Sequence, residues 1–150
     1  MRTLFVTLLF LLAANAAQAS AGLSCEASDK TVKLELEAGI SRGVGEGFFS
    51  FKGELEILAP GAPKDFRKVT FEKEHLTQQW LDGRNLKLRV YRERDGALHG
   101  YVDLVIEAWP RKDEEDAYRG GYALTIFDVP KADADGKTTV LKGRVSCSAG

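Results

Sequence analysis

A chain of 150 residues with 21 basic and 22 acidic side chains is close to electrically neutral, so it has no general pull toward nucleic acid or anionic lipid. Its length allows one domain, large enough to bury roughly two-thirds of the unfolded surface, and no repeat or long low-complexity linker divides it. The two histidines, His75 and His99, lie in different segments without H-x-x-x-H or H-E-x-x-H spacing, so neither a metal site nor a cofactor is expected.

The chain opens with Arg2, an uncharged apolar run from Thr3 to Ala14, and the small-residue end Ala17-Gln18-Ala19. That is the charged, apolar and A-x-A order of a secretory signal peptide. The apolar run is shorter than the ~20 residues that span a bilayer, and no positive stop-transfer cluster follows it. Residues 1–19 are therefore read as a signal and residues 20–150 as a single exported β domain with no transmembrane segment after cleavage. The compartment is the periplasm if the source is bacterial, and the exterior otherwise.

A lipoprotein signal competes through Leu23-Ser24-Cys25. Gly22, however, stands where such signals carry Leu, and the apolar run ends well before the cysteine. Cys25 and Cys147 are instead expected to pair, closing a loop of about 120 residues, worth up to ~5 kcal/mol in the chain-entropy view. With no C-x-x-C spacing and no histidine beside either thiol, the pair reads as structural.

Val32, Leu34, Leu36 and Ala38 alternate with Lys33, Glu35 and Glu37, which is a strand with one wet face. Beyond the Gly-rich stretch from Gly39 to Gly47, the pattern places Phe49, Phe51, Leu55 and Ile57 on one face, and Pro60 and Pro63 end that strand. A stretch here, Gly47-Phe48-Phe49-Ser50-Phe51-Lys52-Gly53, echoes a strand of exported lipocalin-like lipid carriers, but it is short, nothing elsewhere in the chain supports it, and no family resemblance is drawn. The lipocalin G-x-W signature is absent, and no residue role is carried over.

Phe66 to Glu72 reads as a further strand, and Lys73 to Leu81 as a helical turn ending near Asp82-Gly83. The runs Leu86 to Glu93 and Leu98 to Trp109 form a hairpin. A two-residue Asp95-Gly96 turn would set Leu88 against Asp103, mixing core with charge. A three-residue loop Arg94-Asp95-Gly96 sets Leu86 opposite Leu104, Leu88 opposite Val102 and Val90 opposite Gly100, with Gly96 at positive φ. Pro110 to Gly121 reads as a polar connection. Tyr122 to Val129, apolar on both faces, reads as a central or covered strand, and Thr139, Leu141, Val145 and Cys147 line one face of the last strand.

The fold class is all-β, an antiparallel meander closing into a small barrel or a β-sandwich, with about seven to eight strands and at most one short helical turn.

The hairpin face opposite the aliphatic stripe carries the candidate site: Arg89, Tyr91, His99, Tyr101, Asp103, Glu107 and Trp109, with Lys87 beside them. The register sets Lys87 by Asp103, Arg89 by Tyr101 and Tyr91 by His99. Such a mixture of aromatic planes and hydrogen-bonding groups suits a glycan, a partner protein or a small molecule. The competing account is a solvated outer face knitted by cross-strand pairs.

Asp133-Ala134-Asp135-Gly136 has part of a calcium-loop pattern, but Lys131 and Lys142 stand where acids are required, so a plain turn is expected. The acidic run Asp113 to Asp116 lies between basic residues and reads as a solvated loop. No G-x-S-x-G elbow, phosphate-cradling loop or dinucleotide fingerprint is present, which argues against an enzyme. The expected function is a non-enzymatic exported binding or envelope-associated domain. The alternatives are a small-ligand carrier of barrel type and a small hydrolase using a carboxylate pair among residues such as Glu54, Asp103 and Glu107.

Overall fold

A computed structural model describes residues 21–41, 47–82, 84–96 and 98–150; the signal reading of residues 1–19 and part of the Gly39 to Gly47 stretch lie outside the described residues. Nine strands form: β1 (Gly22–Ser28), β2 (Val32–Ser41), β3 (Gly47–Ile57), β4 (Lys68–Phe71), β5 (Leu76–Leu81), β6 (Leu86–Glu93), β7 (Gly100–Pro110), β8 (Ala117–Asp128) and β9 (Lys137–Ala149). Two 3-10 turns, Lys64–Phe66 and Lys73–His75, flank β4. Among the described residues no helix is long and apolar enough to cross a membrane.

All nine strands belong to one antiparallel sheet in the order β4-β3-β2-β1-β9-β8-β7-β6-β5. Each strand therefore pairs with its neighbour in the chain, except at two places. β1 and β9 pair to close the meander on itself, and the consecutive strands β4 and β5 are its two edges, so the sheet is a nearly closed barrel.

The inward positions of every long strand are apolar. Val32, Leu34 and Leu36 on β2, Leu86, Leu88 and Val90 on β6, Val102, Leu104 and Ile106 on β7, and Leu124 and Ile126 on β8 are buried in one continuous core. Period-two patterning thus accounts for the closure, because a sheet with one apolar face hides that face by curling around it.

Cys25 and Cys147 face each other directly across β1 and β9, both turned inward, and form a disulfide. The junction is further tied at its end, where Gly22 and Gly150 exchange main-chain hydrogen bonds of 2.7 and 3.2 Å.

The opposite junction is looser. β4 pairs with β3 from Gly53 to Glu56, β5 pairs with β6, and the turn Lys73–His75 breaks what would otherwise be one closing strand. Two side chains span the resulting notches: the Phe48 amide donates to Gln79 Oε1 at 3.0 Å, and the Arg92 guanidinium donates to the Thr70 carbonyl. Blocking edge groups in this way keeps other strands from adding there.

Two polar stitches hold the barrel ends. Arg94, its side chain 15% exposed, donates to Asp65 at 2.6 and 3.2 Å and to Asp128 at 2.6 Å, and stacks over the Phe66 ring at 4.8 Å. At the other stitch the buried Tyr122 hydroxyl donates to Asp29 Oδ2 at 2.6 Å, while Asp29 Oδ1 accepts from the Thr31 and Val32 amides and the Thr31 hydroxyl.

Four sequence expectations are corrected. Phe49 does not share the face of Phe51, Leu55 and Ile57, because the β2–β3 register shifts between Glu37 and Gly39. The extra residue lies on β3, where Ser50 takes φ 50°, so Phe48 turns toward the core and Phe49, 45% exposed, turns outward. Lys73 to Leu81 is helical only over Lys73–His75 and then becomes β5. β5 is mostly exposed and changes register between Leu76 and Gln78, so it carries no clean alternation to read.

The hairpin register places Leu86 opposite Ala108, Leu88 opposite Ile106 and Val90 opposite Leu104, four residues further along β7 than expected. An even slip, here of four residues, preserves which face each side chain takes, so alternation cannot choose between the registers. The wider loop is held by the Arg94 amide donating to the Gly100 carbonyl at 2.8 Å and by the Arg94 stitch. The Pro110 to Gly121 connection is shorter than expected, since β7 runs through Pro110 and β8 begins at Ala117.

Candidate functional site

The outward side chains of β6, β7, β8 and β9 form one wall. Its composition follows from strand pairing, because residues opposite one another on an antiparallel ladder project from the same face. Four cross-strand rows result. Trp109 lies beside Arg119 and then Ser146; Lys87 beside Glu107, Gly121 and Arg144; Arg89 beside Val105, Ala123 and Lys142; and Tyr91 beside Asp103, Thr125 and Val140.

The candidate residues do not converge as a single cluster. Tyr91, His99 and Tyr101 come together, with ring centroids 5.3 Å apart for Tyr91 and Tyr101 and 5.8 Å for His99 and Tyr101. Phe127, which was not a candidate, completes the group: its ring stacks on Tyr101 at 5.4 Å and meets His99 at 5.3 Å. Gly136 lies so close to the Phe127 ring that a Cβ there would overlap it, which explains the glycine that ends the Asp133–Gly136 turn. Asp133 sits at φ 63°, as a tight turn requires.

Arg89 and Asp103 are joined by paired hydrogen bonds of 2.9 and 2.7 Å, not by the Arg89 to Tyr101 neighbourhood expected from sequence. This pairing holds the Arg89 guanidinium above its ordinary range. Lys87 pairs with Glu107 at 3.4 Å, where Asp103 was expected. Burial, then the 2.6 Å hydrogen bond to Glu93, push the Tyr91 phenol up to about 12, so it remains a donor at neutral pH. Trp109 stands 52% exposed on the same strand as Tyr101 but eight residues away, roughly 27 Å along β7.

Between these two aromatic ends, β8 presents only small outward side chains, Gly121, Ala123 and Thr125. This strip was legible as the "apolar on both faces" pattern of Tyr122 to Val129, but which face was bare was not. On its β9 margin stand Lys142 and Arg144, and at the Trp109 end stands Arg119. All three are exposed, and none enters an ion pair among the described residues.

A second feature lies at the notch between β3 and β5. A groove of about 620 Å³ is lined by Ile40, Phe48, Leu81 and the 58% exposed Trp80, with Ser41, Gln79 and Asp82 at its polar rim. Phe51 and Leu104 point inward and are buried in the core.

The carboxylates weighed as a hydrolase pair are not neighbours. Glu54 is on β3, with four strands between it and β7 in the sheet order, while Asp103 and Glu107 are roughly 13 Å apart along β7 and each is engaged by a cation. His75 Nδ1 accepts from the Glu72 amide at 2.8 Å, a local cap, and His99 belongs to the aromatic group. Among the described residues no three His, Cys, Asp or Glu side chains are grouped as metal ligands.

No known protein family, curated protein or solved structure gives a significant match to the chain.

Proposed function

We propose that the protein is an exported, non-enzymatic binding domain whose ligand lies along β8 on the outer wall of the barrel. The observation that carries this reading is the strip Gly121-Ala123-Thr125 on β8, with Trp109 beside Arg119 at one end and the stacked Tyr101 and Phe127 at the other. A plain solvated wall has no need of an unstacked tryptophan beside unpaired cations, and interface energy concentrates in exposed aromatics and arginines that become desolvated. The disulfide supports export, since such bonds persist in oxidising compartments.

Binding to an array of extended soluble glycans and peptides tests the reading. Trp109→Ala should weaken whatever binds by about 2 kcal/mol or more while leaving melting almost unchanged. Lys52→Ala on the opposite wall is the control. Unchanged binding by Trp109→Ala and Tyr101→Ala would remove the wall from consideration.

The groove between β3 and β5 favours a second reading, a carrier for a small apolar ligand. Its volume falls within the about 300–1,000 Å³ common for ligand sites, and Trp80 stands at its mouth. A ligand lost with Trp80→Ala and retained with Trp109→Ala would assign function to the groove.

A further inference from the structure

We infer that the ligand of the β6–β9 wall is an acidic polysaccharide, a chain of sugars bearing carboxylates; this rests on the wall being the binding surface. β8 lies inside the sheet, with β7 laddered to one edge and β9 to the other. Its main-chain groups are therefore occupied, and a polypeptide cannot dock here by adding a strand. Recognition must come from side chains alone.

Those side chains carry a consistent chemistry. The outward cations Lys87 and Arg89 of β6 are neutralised by Glu107 and Asp103. Arg119, Lys142 and Arg144 are left without ion pairs among the described residues, on the border of the bare strip. Lys142 and Arg144 alternate outward on one strand, roughly 7 Å apart, which presents a repeated positive charge along the strip and not a single point. Three cations bordering one strip, two of them along β9, attract a ligand carrying repeated negative charge.

Trp109 decides the backbone that carries that charge. A broad, half-exposed indole at the end of the strip offers an apolar plane on which the carbon face of a sugar ring can lie, while hydroxyls reach the polar margins Ser146, Thr125 and Glu107. The small side chains of Gly121 and Ala123 leave room for rings above the sheet.

Titration calorimetry with soluble polygalacturonate, dextran of matched length and inorganic polyphosphate tests the inference. Polygalacturonate should bind, weaken at least about tenfold when salt is raised to about 0.5 M, and weaken about tenfold in the Lys142→Gln, Arg144→Gln double variant. Trp109→Ala should also weaken it, and Lys33→Gln on the opposite wall should not. All of these positions are exposed, so melting should stay within a degree or two of wild type, by about the small effect usual for surface changes.

Equal binding of dextran and polygalacturonate, still lost in Trp109→Ala, would keep the wall as the binding surface and overturn the acidic class. Polyphosphate binding that is tighter and indifferent to Trp109 would overturn the sugar. Binding of none of the three, with other ligands found to depend on Trp109, would overturn the inference alone. Indifference of every ligand to Trp109 would overturn the wall as well.

Discussion

The two outer walls of this barrel share one kind of interior and have opposite exteriors. On β2 and β3 the outward positions are charged at nearly every step, with Lys33 bridged to Glu56 and Lys52 to Glu37. Glu26, Glu35 and Glu54 stand directly across from one another on three strands, an arrangement that like-charge repulsion makes mildly unfavourable. On β6 to β9 the outward positions are aromatic at the ends, small in the middle and cationic at one margin. Inward alternation fixes the fold on both sides, so the contrast outside is free to record something else. A wall that only needs solvation is satisfied by charge alternation, and the second wall departs from it.

Three of the places where the walls are joined each offer a way to break the comparison. The largest effect is expected at β1–β9. Replacing Cys25 and Cys147 together by Ala should destabilise the protein by about 2–5 kcal/mol, seen as a lowered denaturant midpoint. A loss below about 1 kcal/mol would mean that the ladder alone joins the walls.

Next is the Arg94 stitch, which links the end of β6 to Asp65, beside β4, and to Asp128 at the end of β8. Arg94→Ala leaves two carboxylates facing each other without their cation and should cost about 2 kcal/mol, less than a fully buried pair because Asp65 is half exposed. The hydrogen bonds from Arg94 hold the Asp65 carboxyl below its ordinary value despite some burial. A depressed carboxylate gives stability that is present above its ordinary pKa and lost as pH falls. Thermal melting of Arg94→Ala should therefore be less sensitive to acid than that of wild type.

The third junction joins the β1–β2 turn to β8. Burial raises the Asp29 pKa, but the hydrogen bonds from Thr31, Tyr122 and the Val32 amide outweigh it and bring the carboxyl from 3.8 down to about 2. Its contribution should be complete above pH 3.8 and disappear as pH falls toward about 2. Asp29→Asn should flatten that limb of an acid titration followed by tryptophan fluorescence, and an unchanged limb would show that the stitch carries none of it. At the other extreme, burial and then Asp29 push Tyr122 up to about 12, so its share is intact below pH 10 and lost as pH rises through 12.

The smallest effect lies within the second wall. Gly96 takes φ 124° in the β6–β7 loop with open space around it, so Gly96→Ala should cost about 1 kcal/mol from backbone conformation alone. A neutral result in urea unfolding would show that the loop relaxes around the substitution.

What the sequence made legible was whatever repeats with period two. The inward stripes of β2, β6 and β7, the disulfide between terminal strands and the positive φ of Gly96 all follow from alternation, cysteine arithmetic and turn chemistry. What it concealed breaks or ignores that period. The bulge at Ser50 swaps Phe48 for Phe49, β5 changes register in its first turn of pleat, and a slip of four residues in the hairpin leaves every face unchanged. The aromatic group was half legible for a related reason: Tyr91 and Tyr101 lie on strands read as partners, whereas Phe127 joins them from β8, and Trp109 is removed from them by eight residues of the same strand.

The mutual hydrogen bonds of Gly22 and Gly150 make the described chain a ring in space, whose one junction without a ladder is the turn Lys73–His75. A circular permutant of the described residues that fuses Gly150 to Ala21 and opens at that turn keeps every strand pair of the sheet, and converts a barrel closed by the pairing of β1 with β9 into a plain linear meander from edge to edge. The native order of the strands is in this sense one of several linear readings of the same circle, and the turn marks where another reading would begin.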